Sequence, residues 1–456
     1  MTSVERLSPP LFDGDLVFGG PALEAAADDF GHLVRREPLA VVRPRTAADV
    51  VRATRWAAER GWKIAPRGEG HSLYGRAQVD GGIVVDMSGL NGVHDLGEDQ
   101  VAVDAGATWR SVLAGTLPRG LTPPVLTNFL DLSVGGTLSV GGLGGTTHRY
   151  GLQTDQVLEL EVVTGDGRLL TCSAHERTDL FDAVRAGLGQ FGTITRARLA
   201  LMPAPERVRR YTLAYPDLAG LVRDQRLVVE DGRAEHLQGA ILAGGAGRQY
   251  QLEMVVFARD GELPPDAEVL AGLTDDRAGG RVEEQSYWEY ALSFDALESA
   301  LRSTGQWSNP HPWLLTVLPG STAERIAGDI LGTLTADDLG EYGRVTFYPI
   351  PTGRITTPFL RLPAEETVFP FNLVRFPVDD DPAQAERMVT QNRVLYDRVR
   401  AAGGVLYPVS GFPFTPDDWR DHFGERWPAF RSAKERFDPG RVLTPGQGVF
   451  AAAPSP

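Results

Sequence analysis

The first part of the chain, to about residue 205, alternates apolar runs of strand length with amphipathic helices. Thr46 is a predicted helix N-cap, because Asp49 stands at the third helical position and an apolar face follows. Gly165-Asp166-Gly167 separates two alternating runs and predicts a β-hairpin. The pattern predicts strands at 40–42, 62–65, 82–87, 100–106, 157–164, 169–172 and 193–201, and helices at 22–35, 46–60, 109–117 and 179–185.

The order of predicted strands and helices changes after Pro203 and Pro205. Alternating strands and amphipathic helices now predict an α+β unit with an antiparallel sheet and helices on one side of it. We therefore predict three parts, namely residues 1–205, 206–410 and 411–456. In the second part the strands are 210–214, 237–243 and 250–257, the helices are 218–229, 323–334 and 382–402, and 272–282 is a surface loop; 411–456 is predicted to be irregular.

Composition excludes some classes of partner. The 456 residues carry a formal net charge of −15, which argues against a nucleic acid or an anionic membrane as partner. One cysteine, Cys172, allows no internal disulfide, and we read no signal peptide at the start; both favour a cytoplasmic protein. No apolar run reaches the ~20 residues of a membrane span. The histidines lack metal-ligand spacing, so we expect no metal site.

The stretch Pro66-Arg67-Gly68-Glu69-Gly70-His71-Ser72 follows a predicted strand. Glycines let a backbone approach a ligand closely, and N–H groups in such a turn form a concave site for a pyrophosphate. An imidazole held against that ligand could bond to it covalently. The alternative is an ordinary glycine turn with a surface histidine.

A second glycine-rich stretch spans residues 132–145 and contains six glycines. It has neither the spacing of a P-loop nor that of a dinucleotide-binding fingerprint. Apolar residues are interleaved with the glycines, which predicts a backbone surface pressed flat against a bulky ligand. The alternative is a flexible linker.

Taken together, the motifs resemble flavoproteins of the vanillyl-alcohol-oxidase superfamily, and most closely the cytokinin dehydrogenases. They occur in order along nearly the whole chain. The matching stretches are 67–72, 132–139, 157–160, 163–165, 171–173, 187–198, His311-Pro312-Trp313-Leu314, Gln391-Asn392-Arg393, His422-Phe423-Gly424, Phe437-Asp438-Pro439 and Pro445-Gly446-Gln447.

This resemblance implies an α+β fold with a two-part FAD-binding domain, made of the N-terminal segments and the C-terminal tail, under an α+β cap domain. In the family the turn histidine bonds covalently to the flavin 8α-methyl group, and here that residue is His71. Arg76 replaces a glutamine of the relatives. The cofactor-binding residues carried over are His71, Pro66, Arg67, Gly68, Glu69, Gly70, Ser72, Arg76, Ser133, Gly136, Ser139, Leu143, Ile194, Thr444 and Gln447.

One departure concerns catalysis. Cytokinin dehydrogenases place an aspartate before the second glycine-rich stretch, where it accepts the proton of the substrate amine. Asn128 stands at that place here, and an amide cannot act as a base near neutral pH. Asp131, three residues on, would point to the opposite face of an extended segment. Tyr74 and Tyr407 are possible phenolic groups, and we predict catalytic roles for Asn128 and Tyr407.

Three functions stay open at this point. The favoured one is a covalent-FAD enzyme that takes hydride from a C–H beside an amine or alcohol of a small aromatic or heteroaromatic molecule, with oxygen or another electron acceptor reoxidising the flavin. The second is a true cytokinin dehydrogenase. The third is a non-redox cyclase or binding protein that uses FAD as a scaffold. Candidate pocket walls in the cap are Tyr287, Trp288, Tyr290, His311, Trp313, Phe347, Tyr348, Phe371 and Phe376.

Overall fold

The computed structural model describes residues 8–244, 247–378 and 381–451. The first part of the chain holds two main sheets, a third sheet of only two strands and the helices that pack on them. Its strands are β1 (Asp15–Val17), β2 (Ala40–Arg43), β3 (Ile64–Arg67), β4 (Ile83–Asp86), β5 (Val93–His94), β6 (Gln100–Asp104), β7 (Leu121–Thr122), β8 (Val157–Val163), β9 (Leu169–Ser173), β10 (Thr193–Ala200) and β11 (Met202–Pro203). Its helices are α1 (Pro21–Ala26), α2 (Ala47–Glu59), α3 (Trp109–Thr116), α4 (Val134–Leu138), α5 (Thr147–Tyr150) and α6 (Thr178–Val184).

The two sheets differ in strand direction. The first has the order β1-β2-β4-β3, with β4 parallel to both β2 and β3. The second has the order β5-β6-β10-β8-β9 and is antiparallel throughout. Helix α2 begins with the predicted capping box, because the side chains of Thr46 and Asp49 each accept the other residue's backbone N–H. The β8–β9 hairpin is likewise as predicted.

The second part of the chain forms one large antiparallel sheet in the order β15-β12-β14-β13-β17-β19-β16-β20, with β18 paired to β19. Helices such as α7 and α11 pack on one face of this sheet. The strands are β12 (Arg207–Tyr215), β13 (His236–Gly244), β14 (Gly247–Phe257), β15 (Asp276–Ser286), β16 (Leu314–Pro319), β17 (Arg344–Phe347), β18 (Ile350–Pro351), β19 (Thr367–Val374) and β20 (Val405–Leu406). The helices are α7 (Leu218–Asp231), α8 (Asp266–Val269), α9 (Tyr287–Ala291), α10 (Phe294–Ser303), α11 (Ala323–Leu331), α12 (Pro382–Ala401), α13 (Pro416–Phe423) and α14 (Trp427–Phe437).

The C-terminal segment returns to the first part of the chain, as the predicted two-part domain requires. Ile64 donates its N–H to the Val442 carbonyl at 2.9 Å and accepts from the N–H of Thr444 at 2.8 Å. Lys434 and Asp438 are buried and form an ion pair at 2.7 Å beside this junction. The α+β class with an antiparallel cap sheet is confirmed. The boundaries at 205 and 410 stay predictions.

Three local predictions are wrong. Part of residues 272–282 belongs to β15, an edge strand exposed on most of its length, so that no apolar alternation marks it. Within 411–456 the chain forms α13 and α14, whose aromatic side chains stack on one another rather than follow a clear helical stripe. Helix α1 ends at Ala26, well before the predicted residue 35. In the described ranges no helix is both long and apolar enough to cross a membrane.

Candidate active site

His71 lies in the turn that follows β3, surrounded by aromatic rings. Its ring stacks on Phe30 with the centroids 3.8 Å apart and an angle of 18° between the planes. Phe129 and Trp307 lie 4.9 and 5.8 Å from it. Burial lowers the pKa of His71 to about 3, so the imidazole is neutral at physiological pH. A neutral imidazole keeps a nitrogen lone pair, which bond formation to an electrophilic carbon requires.

The two glycine-rich stretches touch each other. A Cβ on Gly68 would lie 1.9 Å from Ser133 Oγ, and one on Gly136 would lie 2.8 Å from the same atom. Gly70 has a φ of +69°, where a side chain is strained, and its missing Cβ leaves room for the Arg67 guanidinium. The structure therefore brings these predicted cofactor-binding residues together.

The polar residues of the first turn are bound within the chain. Ser72 Oγ donates to Asp29 Oδ2 at 2.8 Å. Arg67 donates to the carbonyl oxygen of Asp28 at 2.5 Å. Burial, followed by the charges of nearby acids, raises the pKa of Glu69. These side chains hold the turn in place.

Strand pairing fixes two further predicted residues. Pro66 lies in β3 opposite Val85, and Ile194 lies in β10 opposite Val162. Both positions are set by the sheets rather than by side-chain hydrogen bonds.

The second glycine-rich stretch is only partly an open surface. Residues 134–138 form α4, where Ser139 Oγ donates to the Gly135 carbonyl at 2.7 Å. Ala105 occupies the space beside Gly135, and the Leu126 carbonyl that beside Gly144. Protein therefore fills part of the room that we expected a ligand to take. Leu143 lines a small apolar cavity of about 10 Å³.

The C-terminal segment carries the last predicted cofactor residues. Arg76 is buried and donates to the backbone carbonyl of Gln447 at 3.2 Å and to that of Phe412 at 3.4 Å. Thr444 has a φ of +50° and donates to the Gly189 carbonyl at 2.8 Å. Arg76 thus joins the first part of the chain to the returning C-terminal segment.

These segments fit a large polar cofactor such as FAD. The side-chain oxygens of Gln153, Thr193 and Gln447 are buried and have no hydrogen-bond partner in the described part of the chain. A buried acceptor or hydroxyl without a partner is costly unless a ligand or water supplies one. The residues that would hold FAD are those of the two glycine-rich stretches and of residues 444–447.

Asn128 meets the cap directly. Its Nδ2 donates to Gln238 Oε1 on β13 at 2.9 Å. The segment that contains Asn128 consists of bends and turns, so our assumption of an extended chain is wrong there. Asp131 is engaged elsewhere, because Arg110 donates to it at 2.6 Å and also to Asp295 at 2.8 Å. This bridge connects residues 123–132, which we call the Asn128 loop, to α10.

Tyr407, the second predicted catalytic residue, contacts the second glycine-rich stretch. Its hydroxyl accepts the Gly142 N–H at 3.2 Å. Burial raises its pKa to about 12. A phenol held protonated in this way is a hydrogen-bonding group rather than a base at neutral pH.

Gln238 lies on the face of the cap sheet opposite to α7 and α11, which we call the inner face. Strand register places Glu253 and Thr212 in the same row as Gln238. Residues of this face are mostly half-buried, while their neighbours on the helix-covered face are buried. The inner face includes Arg210, Thr212, Gln238, Ala240, Gln251, Glu253, Arg281, Glu283, Arg344, Thr346 and Asn372.

Comparison with known proteins places the chain in a family. Residues 38–173 match the model of the FAD binding domain, and residues 267–450 match the model described as cytokinin dehydrogenase 1, FAD and cytokinin binding. An uncharacterized oxidoreductase of the fasciation locus of Rhodococcoides fascians is 43% identical over 93% of this chain and 96% of its own length. Cytokinin dehydrogenase 10 of Oryza sativa subsp. japonica is 33% identical over 94% of this chain and 87% of its own.

The chain belongs to the cytokinin dehydrogenase family of FAD-dependent oxidoreductases. A solved structure supports the fold: 6-hydroxy-D-nicotine oxidase from Arthrobacter nicotinovorans superposes with a TM-score of 0.74, at 22% identity, over 95% of this chain and 97% of that one. The resemblance, the fold class and the assignment as a flavin-dependent enzyme are confirmed. The roles of individual site residues stay predictions.

Some of the predicted pocket-wall residues of the cap lie beside His71, and the others pack in the interior of the cap. His311 stacks on the far side of Phe30 from His71, at 3.9 Å, and Trp313 lies 5.5 Å from Phe30. Tyr290 contacts His236 Nδ1 through its hydroxyl at 2.5 Å. The remaining candidates are buried or half-buried side chains of the cap: Tyr287, Trp288, Phe347, Tyr348, Phe371 and Phe376.

Sequence reasoning missed Gln238, Glu253 and Arg344. Each lies on a strand whose polar residues alternate with apolar ones. The alternation itself was the available signal. Only strand pairing shows that the polar side faces the Asn128 loop.

Proposed function

We propose that the protein oxidises a carbon next to an amine nitrogen of a small heteroaromatic molecule, with N6-alkylated adenines of the cytokinin type as the first candidates. The observation that carries this proposal is the match of residues 267–450 to a FAD and cytokinin binding model. The Asn128–Gln238 amide pair supports it, since amides suit the donors and acceptors of an aminopurine.

We also propose that FAD is attached covalently through His71. The imidazole is half-buried and neutral, because burial lowers its pKa to about 3. Phe30 and Phe129 restrict its orientation by stacking. A cytoplasmic location is proposed as well, supported by the single, buried cysteine.

The chemistry removes two electrons and two hydrogens from the substrate. When bound, FAD accepts a hydride from the substrate carbon. The amine N–H loses a proton, which leaves a C=N bond, and water then splits this imine into a carbonyl compound and an amine. Oxygen or another acceptor receives the electrons. The side chains of Asn128 and Gln238 would hold the nitrogen and orient its N–H.

The proton needs an acceptor other than these amides. Glu253 is the carboxylate in register with Gln238 on the inner face. Arg210 donates to it, and His236 Nε2 lies 3.5 Å from it. We assign proton acceptance to Glu253.

The decisive experiment is anaerobic mixing of the purified holoenzyme with isopentenyladenine while the long-wavelength flavin band is followed. Bleaching of the band is the expected result and establishes dehydrogenation of a cytokinin. If the band persists although dithionite still bleaches it, the cytokinin proposal is wrong, and other amines and alcohols are screened in the same way. Turnover with the flavin oxidised throughout would point to a non-redox function.

A further inference from the structure

Arg344 lies on β17, in the same row of the inner face as Leu242 and Val374. It is half-buried, and burial lowers its pKa against the opposing charge of Glu253. In the part of the chain that the structure describes, its guanidinium has no hydrogen bond, ion pair or aromatic ring as partner. Five donors are therefore left without protein acceptors.

The neighbours of Arg344 do not compensate for its charge. Arg210, the other arginine of the inner face, is already paired with Glu253. Asn372 and Thr346, the nearest polar pair, hydrogen-bond to each other at 3.0 Å. With Arg281 and Glu283 of β15, which pair with each other, the inner face carries three guanidinium groups for two carboxylates. A partly desolvated, unpaired cation costs free energy unless a ligand pairs with it.

We propose that Arg344 binds an acidic group, a phosphate or a carboxylate, at the end of the substrate distant from the reacting C–N bond. This rests on the proposed function, because the Asn128–Gln238 pair marks the reacting end. Leu242, the row partner of Arg344, is four residues from Gln238 along β13, or about 13 Å at the usual rise of a strand. A purine with an acidic substituent on its far side covers that span.

The first test is binding at equilibrium, which needs no turnover. Holoenzyme kept reduced with dithionite under anaerobic conditions, so that no ligand is oxidised, is dialysed against N6-isopentenyladenosine, its 5′-monophosphate and 9-carboxymethyl-N6-isopentenyladenine. We expect the wild-type protein to bind one of the charged ligands about ten- to a hundredfold more tightly than the nucleoside, as one charge-assisted contact provides. The ligand with the larger gain tells whether the acidic group is a phosphate or a carboxylate.

Variants assign the preference to Arg344. Arg344→Gln should abolish it, and Arg344→Lys should retain part of it, because lysine keeps the charge without the bidentate geometry. Arg325→Gln, an exposed arginine of helix α11 on the other face of the sheet, is the matched control and should bind like wild type. Equal affinities in the wild-type protein, or an undiminished preference in Arg344→Gln, would overturn the proposal; the wild-type comparison decides even where a variant does not fold.

The two proposals fail in different ways. If no ligand bleaches the flavin but an Arg344-dependent preference is measured, the proposed oxidation is wrong and the anion site stands. If isopentenyladenine bleaches the flavin and no charged ligand gains affinity, the oxidation stands and the anion site is wrong.

Discussion

The cofactor-binding segments and the inner face of the cap use polar side chains in opposite ways. In the former, Ser72, Ser139 and Thr444 bond to their own chain, and glycines provide the surface. On the inner face, Arg344 has no protein partner in the described ranges, and Gln238 pairs only with the Asn128 loop. The turn around His71 is therefore held by its own chain, whereas Arg344 on the inner face keeps its donors for a ligand.

Replacing His71 should have the largest effect on the cofactor-binding segments. His71→Ala should eliminate acid-stable flavin completely, since no other group in the turn can form the bond. The measurement is flavin fluorescence in the acid-precipitated protein. His311→Ala is the matched control, because His311 stacks on the opposite side of the same Phe30 ring. Flavin retained in the His71→Ala precipitate would refute the assignment.

Glu253 tests the chemistry of the inner face. Glu253→Gln keeps the shape and the contact with Arg210 but removes the proton acceptor. The rate of flavin reduction by the substrate should fall by about 10²- to 10⁴-fold, the usual contribution of a positioned base. Stopped-flow absorbance under anaerobic conditions measures it.

Gln251→Glu is a control for charge on the same strand, two residues from Glu253. It should leave the rate of flavin reduction within about tenfold of wild type. A carboxylate at position 251 lies opposite Ala240 and not opposite Gln238, so it is not placed to accept the proton of the substrate nitrogen. If Glu253→Gln reacts at the wild-type rate, another group accepts the proton.

Lys434 tests how rigidly the cofactor side is held. Its Nζ donates to Gln190 Oε1 at 3.0 Å and pairs with Asp438 at 2.7 Å, and both charged side chains are nearly inaccessible. Lys434→Met leaves the buried Asp438 carboxylate without its cationic partner. The free energy of unfolding, measured by urea titration, should fall by about 3–5 kcal/mol.

The chain offers a matched lysine. Lys63 donates to the Arg441 carbonyl at 2.7 Å on the same C-terminal segment, but in an exposed position. Lys63→Met should cost less than about 1 kcal/mol. Equal losses for the two variants would show that burial of the Lys434–Asp438 pair is not what holds the segment.

The same contrast explains what the sequence could predict. Glycine spacing, capping residues and alternating apolar runs are local signals, and they located the turn around His71, the start of α2 and the β8–β9 hairpin. The strand β15 carried no such signal, because both of its sides are largely exposed. Asn128 and Gln238 are 110 positions apart, so their contact depends on how the cap sheet docks, which no local pattern encodes.

Tyr407 contacts the second glycine-rich stretch, and its variant has the smallest expected effect. Tyr407→Phe leaves the Gly142 N–H without its acceptor and should slow flavin reduction by less than about tenfold, the cost of one neutral hydrogen bond. With a pKa of about 12, the phenol stays protonated across the usable pH range. The pH profile of flavin reduction should therefore be unchanged in the variant. If Tyr407 were the base, the rate would rise with pH towards 12 in the wild-type protein, and that rise would vanish in Tyr407→Phe.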